Sequence, residues 1–240
     1  MIKAELLARP GCRCGCDPAA GATLHRRRLL VGAAIAMTAA ATTDPAHAQT
    51  PLTPQQALDR LMAGNRRFVE QRLTVCNEDL EALRRGTAAR QEPFAAVLAC
   101  ADSRVPVELV FDQSIGRLFV ARVAGNIASA EIIASLEYGA AVLGTKVLMV
   151  LGHAACGAVT AAIEGKSAPG QISALYGPIH PAVVQAGPDL GAVIRENARL
   201  QARLLRDASP VIGELVRQHR LAVHAGYYDL ASGIVTLIEL

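Results

Sequence analysis

Residues 94–104 read FAAVLACADSR, an uninterrupted apolar run that ends in a thiol, a carboxylate and a guanidinium. Two further apolar runs without polar alternation occupy residues 118–123 and 147–151. Unbroken runs of this length are typical of strands that are buried on both faces, as in parallel sheets. The sequence therefore predicts a buried strand over residues 94–98, with Cys100 just beyond its carboxyl end.

Helical patterns separate these runs. Thr53, Pro54 and Gln56 form a capping box with proline at the first helical position, which predicts an N-terminal helix. Further helices are predicted near residues 79–85, over 129–143, from 156 to 165, over 190–206 and over 209–219, and two late strands over 221–227 and 234–240. The proline-containing residues 166–189 are predicted to form a loop with short turns.

Strands that alternate with helices predict an α/β fold, and the unbroken apolar runs predict that its sheet is mainly parallel. In such sheets ligands bind beyond the carboxyl ends of the strands. Cys100 follows one predicted strand, and His153 and Cys156 follow another. We therefore expect these two clusters to meet at one edge of the sheet.

The charge of the chain is concentrated at its N-terminus. The formal net charge is +3, and residues 1–48 contain six Lys/Arg and three Asp/Glu, which leaves 18 of each for residues 49–240. The neutral body argues against a nucleic-acid partner, as do the aromatic share of only 3% in the whole chain and the absence of Trp.

Residues 1–48 have the order of parts of a signal peptide. HRRR at residues 25–28 precedes an apolar run over 29–41, and Ala-His-Ala follows at 46–48. The run is shorter than the ~20 residues that span a bilayer. The arginines resemble a twin-arginine (Tat) signal, which predicts a periplasmic or secreted protein without a membrane anchor after processing. The alternative is a cytoplasmic protein with an Ala-rich tail.

Residues 49–240 are accordingly predicted to form a single domain, which contains three cysteines: Cys76, Cys100 and Cys156. An odd, low count in an exported protein predicts no disulfide framework. Three further cysteines lie upstream and would be removed with the signal, so that no function is assigned to them: Cys12, Cys14 and Cys16.

Four residues are predicted zinc ligands: Cys100, Asp102, His153 and Cys156. A thiol and a carboxylate two apart lie on the same side of an extended segment, and a His and a Cys three apart can reach one ion where a strand turns into a helix. The alternatives are buried filler cysteines, a closed structural zinc site and a thiol redox pair. Arg104 favours catalysis, because a guanidinium that holds Asp102 would leave the fourth position open to water.

Residues 100–106 (CADSRVP) and 152–159 (GHAACGAV) resemble the two signatures of the β-class carbonic anhydrases. Supporting matches are GNRRF at 64–68, FDQ at 111–113 and AGN at 124–126. The resemblance runs from about residue 54 to the C-terminus.

The resemblance implies reversible hydration of CO2 to bicarbonate and a proton by zinc-bound hydroxide. Cys100, His153 and Cys156 would be permanent Zn²⁺ ligands, and Asp102 would either pair with Arg104 or occupy the fourth position. Because thiolates donate more charge than imidazoles, we expect activity that rises with pH. The resemblance also implies a mainly parallel β-sheet that is flanked by helices, with an N-terminal helical arm. It further implies a homodimer or a higher homo-oligomer.

Three alternatives remain at this point. The same ligands would serve hydrolysis of COS or CS2, and a non-catalytic zinc protein would keep Asp102 on the metal. A thiol redox protein would lose a reactive dithiol when zinc is added.

The other matching residues have simpler interpretations. Gln113 would bond bicarbonate or cap a loop, and Gly125-Asn126 would form a turn with backbone contact to the pocket. His180, His219 and His224 have no partner at ligand spacing and are expected to be surface or packing residues.

Overall fold

The fold is taken from a computed structural model, which describes residues 50–75 and 78–240. Five strands form one sheet in the order β2-β1-β3-β4-β5, parallel except for the last pair. The strands are β1 (Ala95–Ala99), β2 (Leu118–Arg122), β3 (Val147–His153), β4 (Ala222–Tyr228) and β5 (Val235–Ile238). The helices are α1 (Pro54–Val69), α2 (Leu80–Thr87), α3 (Val107–Val110), α4 (Ala130–Glu137), α5 (Gly157–Glu164), α6 (Tyr176–Ala186), α7 (Leu190–Ala208) and α8 (Pro210–Arg217). The predicted α/β class with a mainly parallel sheet is confirmed.

The strand register decides where the chemistry lies. All residues of β1 and β3 are buried, as expected for central strands covered on both faces. Ala99 is the last residue of β1 and pairs with Arg122 on one side and Leu151 on the other. Because all three strands run in the same direction, the residues after Ala99 and those that end β3 meet at one edge.

The N-terminal helix α1 lies against one face of the sheet. The predicted capping box is present, with Gln56 N donating to Thr53 Oγ1 and Thr53 N donating to Gln56 Oε1. The buried Asn65 donates to the Val110 and Gly233 carbonyls, so that it connects α1 to α3 and to the turn before β5.

Two of the matching segments meet beside this helix. Arg67 bonds the buried carboxylate of Asp112 over 2.5 Å. A Cβ on Gly64 would lie 1.7 Å from the Phe111 carbonyl oxygen, so that only glycine permits this approach of α1. GNRRF and FDQ thus dock α1 against the segment that ends α3.

The prediction of a loop over residues 166–189 is wrong for its second half. A 3₁₀ turn over Ile172–Leu175 is followed by α6, with Pro181 inside it. Pro178 lies in the first turn of α6, where the amide has no partner within the helix. Ile179 and Ala182 are fully buried three residues apart, and their packing with α7 outweighs the proline penalty.

The other predicted elements are present with small shifts at their ends, and the helix predicted to reach residue 143 continues beyond α4 as a π-helical turn over Tyr138–Val142. The described residues contain no helix that is long and apolar enough to cross a membrane. The predictions for residues 1–48, with Cys12, Cys14 and Cys16, and for Cys76 lie outside the described residues.

Candidate metal centre

Three of the predicted ligands form one buried cluster, which we call the ligand group: Cys100, His153 and Cys156. Cys100 is one residue past β1, His153 is the last residue of β3, and Cys156 is the N-cap of α5. One potential ligand atom from each lies within 4.8 Å of the others, and the two sulfurs are 3.9 Å apart. The structure thus brings together residues that are 56 positions apart in the chain.

The imidazole of His153 is oriented so that one of its ring nitrogens can act as a metal ligand. Its Nδ1 lies 2.9 Å from the Ala154 carbonyl oxygen, which accepts a hydrogen bond when Nδ1 carries the proton. Its Nε2 is then a lone-pair donor, and it is buried with no hydrogen-bond partner among the described residues. A buried nitrogen without a partner is destabilising unless something binds it.

The two thiols behave as a coupled pair. Hydrogen bonding from Cys156 lowers the pKa of Cys100, and the same contact, together with burial, raises the pKa of Cys156. The contact therefore favours a pair in which Cys100 is the thiolate and Cys156 is the thiol. Two sulfurs and an imidazole nitrogen are a donor set that Zn²⁺ prefers, and binding of the cation would deprotonate the second thiol. The ligand group therefore fits zinc.

Asp102 lies beside the ligand group and is held by Arg104. Arg104 Nε donates to Asp102 Oδ1 over 2.9 Å, and its Nη2 donates to Oδ2 over 2.7 Å. The same Nη2 reaches the Ala155 carbonyl oxygen at 3.2 Å, which connects the two sequence clusters. Asp102 Oδ2 is 3.9 Å from His153 Nε2. Of the four predicted ligands, three form the group and Asp102 is paired with Arg104 at its margin.

The ion pair fixes the charge of Asp102. The guanidinium of Arg104 donates to both oxygens and, with the Arg104 backbone amide, holds the pKa of Asp102 well below its usual range. Asp102 is therefore a carboxylate throughout the neutral range. Its side chain is 18% exposed, so that it contacts both the centre and solvent.

One residue at this edge was missed from the sequence. Arg122, at the end of β2, donates from Nε to the Cys100 carbonyl at 2.9 Å and from Nη2 to the Asp102 carbonyl at 2.5 Å. It therefore holds the loop that carries both side chains. A charged residue that ends an apolar strand at the ligand edge was the available signal.

The remaining candidates occupy simpler places. Gly125 is in the predicted turn, and its amide donates to Cys100 Sγ over 3.3 Å. Gln113 is buried and donates to the Phe111 carbonyl, as expected of a residue that caps a loop. His180 and His219 are exposed, and His224 is half-buried on β4.

A Cys-His-Cys donor set at the carboxyl edge of a parallel sheet, with a carboxylate–guanidinium pair beside it, is the arrangement of an α/β metalloenzyme. The carbonic anhydrase family profile matches residues 95–235. Carbonic anhydrase 2 of Mycobacterium tuberculosis is 33% identical over 192 residues, which cover 77% of this chain and 92% of that protein. A carbonic anhydrase of Pseudomonas aeruginosa is 35% identical over 169 residues, which cover 63% of this chain and 76% of that protein.

The solved structures agree with this assignment. The β-carbonic anhydrase CcaA is 26% identical, with a TM-score of 0.60 over 76% of this chain and 95% of that one. A tetrameric β-carbonic anhydrase of Sordaria macrospora, 24% identical, shares the fold with a TM-score of 0.62 over 67% of this chain and 88% of that one. The chain belongs to the β-class carbonic anhydrases, and its reaction is the reversible hydration of CO2 to bicarbonate and a proton.

Proposed function

We propose that Cys100, His153 and Cys156 hold a catalytic zinc ion, and that Asp102 and Arg104 are the residues that assist the reaction. One observation carries this proposal. The donor atoms of the ligand group converge beside the Asp102 carboxylate, which Arg104 holds through two hydrogen bonds. A fourth protein ligand would complete a structural site, whereas a free fourth position defines a catalytic one.

Zinc at this group would supply a Lewis acid that lowers the pKa of a coordinated water and so makes hydroxide available near neutral pH. Asp102 is ionised and lies on the solvent side of the ligand group. It can accept a hydrogen bond from the attacking oxygen nucleophile and orient it toward the CO2 carbon. Because Arg104 holds its pKa low, Asp102 stays a carboxylate and acts as a hydrogen-bond acceptor rather than as a store for the released proton.

Arg104 has a positioning role toward Asp102. Its planar guanidinium forms two parallel bonds with the carboxylate, a geometry that Lys cannot reproduce. Asp102 can reach the metal only if these bonds break. Arg104 therefore decides between a carboxylate that assists the reaction and one that blocks the fourth position.

Paired histidine variants test this proposal. We expect His153→Ala to lose both zinc and CO2 hydration, measured by metal analysis and by stopped flow with a pH indicator on the same sample. His224→Ala is the matched control, because His224 is half-buried on the neighbouring strand β4 and is expected to keep both. Full zinc content in folded His153→Ala would contradict the ligand assignment.

The proposal extends to a homo-oligomer. Exposed apolar side chains lie on β5, on the turn before it and on α6, among them Leu237, Ile234 and Val184. The Sordaria macrospora relative is described as tetrameric. Light scattering coupled to size exclusion is expected to give at least twice the monomer mass, and a monomer at micromolar concentration would contradict this.

Export is proposed from the sequence of residues 1–48, with residues 49–240 as the single mature catalytic domain. The basic segment, the apolar run and Ala46-His47-Ala48 support cleavage before Gln49. N-terminal sequencing of the protein from the periplasmic fraction of an expressing bacterium is expected to start at Gln49. An uncleaved chain that is confined to the cytoplasm would contradict export.

A further inference from the structure

The ligand group has a buried flank, formed by Gly125, Asn197 and Gln201, which we call the buried side. The Gly125 amide donates to Cys100 Sγ over 3.3 Å, while its carbonyl accepts from Asn197 Nδ2 over 2.9 Å. One residue is therefore bonded to a ligand sulfur at its amide and to α7 at its carbonyl. Asn197 is 1% exposed, so that water does not compete for this bond.

Gln201 holds Asn197 in place from one turn further along α7. Its Nε2 donates to Asn197 Oδ1 at 3.4 Å and to the Pro178 carbonyl at 3.1 Å. Its Oε1 accepts from the Ala128 amide at 2.8 Å. Two neutral side chains of α7 therefore hold the loop after β2 at two points, Gly125 and Ala128.

Gly125 cannot be replaced by a residue with a side chain without strain. Its φ of +77° lies in the left-handed region, and a Cβ would come within 2.8 Å of Ile179 Cδ1. The position of its amide is thus decided by the bonds of the loop. Of these, the Asn197 bond is the one made to Gly125 itself by a side chain.

We propose that Asn197 is a positioning residue for the metal centre: it holds the Gly125 carbonyl and thereby orients this residue so that its amide donates to the Cys100 sulfur. This inference rests on the proposed function, in which Cys100 is a zinc ligand. A hydrogen bond to a ligating sulfur stabilises its lone pairs and reduces the charge that it gives to the metal. Asn197 thereby keeps the metal a strong Lewis acid without touching it.

Cobalt substitution gives a readout of this bond that does not depend on activity. Co²⁺ bound by thiolates shows a sulfur-to-metal charge-transfer band, whose energy falls when the sulfur loses a hydrogen bond. Asn197→Leu keeps the branched shape of the side chain and removes the donor. We expect this variant, loaded with Co²⁺ as the full chain, to show the band at longer wavelength, and its zinc form to hydrate CO2 about tenfold more slowly.

Val193→Ala is the matched control. Val193 lies four residues before Asn197 on α7 and is fully buried, in the apolar cluster that also contains Cys100 and Cys156. Its side chain has no polar atom that could bond Gly125. A cavity there is expected to lower stability and to leave the band in place. If circular dichroism shows that Asn197→Leu is unfolded, Asn197→Ser is used instead. The serine side chain is too short for its hydroxyl to reach the Gly125 carbonyl.

The outcomes separate the two claims. A shifted band in the Asn197 variant alone supports the positioning role. An unshifted band in a folded, cobalt-loaded variant overturns this role and leaves the zinc site intact. A wild-type chain that binds Co²⁺ without a thiolate charge-transfer band overturns the proposed ligand set, and the positioning role with it.

Discussion

The metal centre lies between two flanks of opposite character. On the open side, defined by Asp102 and Arg104, two charged groups pair at a surface where Arg104 is 52% exposed. On the buried side, Asn197 and Gln201 are neutral amides that are almost wholly excluded from solvent. Both flanks are tied by hydrogen bonds to elements of the centre, the open side to the Ala155 carbonyl and the buried side to Cys100 through Gly125.

This difference teaches where the site can move. A half-exposed ion pair adds little stability because water competes for both partners, so that it can open and close at small cost. A buried amide that loses its partner pays the full desolvation penalty, which is about 1–3 kcal/mol. Rearrangement during the reaction is therefore expected at Asp102, whereas the Cys100 sulfur stays fixed.

The largest effect is expected in the ligand group, which lies between the two flanks. Cys156→Ala removes a ligand, and we expect zinc below about a tenth of an ion per chain, with CO2 hydration at the uncatalysed rate. Metal analysis and stopped flow measure both. Val159→Ala, one turn into α5 and equally buried, is expected to keep its zinc. A zinc-replete, active Cys156→Ala would refute the site on which both flanks depend.

The next largest effect is expected when the ion pair of the open side is broken. Arg104→Ala releases Asp102 toward the fourth position, so we expect retained zinc and hydration slower by roughly 100-fold. Arg104→Lys should recover only part of the rate, because an ammonium group cannot bond both oxygens in parallel. Wild-type rates in Arg104→Ala would show that Asp102 needs no guanidinium to hold it.

A pair of glycines sharpens the contrast on the buried side. Gly125 and Gly165 both have positive φ, but a Cβ would strike Ile179 at Gly125 and nothing within 4 Å at Gly165. Gly165→Ala is expected to lower the free energy of unfolding by about 1–2 kcal/mol. Gly125→Ala should lower it by a further ~1–3 kcal/mol and also slow hydration. Urea titrations and rate measurements on both variants test this difference. Equal losses of unfolding free energy at the two glycines would argue against a rigid buried side.

The smallest effect concerns acid stability. The pKa of Asp102 is lowered in the folded protein by the Arg104 bonds, so its contribution to stability is present above the unfolded value of ~3.9 and is lost as pH falls through the native value. Urea midpoints of wild type and Arg104→Ala should therefore differ most at pH 5–7, and the difference should shrink steadily as pH falls below the unfolded value toward the native one. A difference that widens in acid would have the wrong sign.

The sequence predicted the ligand edge because its signals are local. Unbroken apolar runs identify buried strands, and a thiol or imidazole at the end of such a run lies at a known place in a parallel sheet. The pairing of Asp102 with Arg104 follows from two residues of separation. These features need no knowledge of how distant helices pack.

The parts that were missed depend on packing over long separations. Asn197 is 72 residues from Gly125, and on an amphipathic helix an asparagine among apolar residues gives no sign of its partner. The place of Arg122 at the end of an apolar strand is a sequence signal, but its partners are backbone carbonyls, which the sequence does not identify. The prolines of α6 are local signals that predict a loop. The burial of Ile179, which outweighs them, depends on packing with a distant helix and is not visible in the local sequence.

We propose that an open fourth position on zinc coexists with a rigid ligand group. The most direct test of this proposal is CO2 hydration by the purified protein in stopped flow at pH 7 and at pH 8.5, with zinc counted on the same sample. We predict one zinc ion per chain and faster hydration at the higher pH. A chain that binds one zinc ion and hydrates CO2 at neither pH would contradict this account.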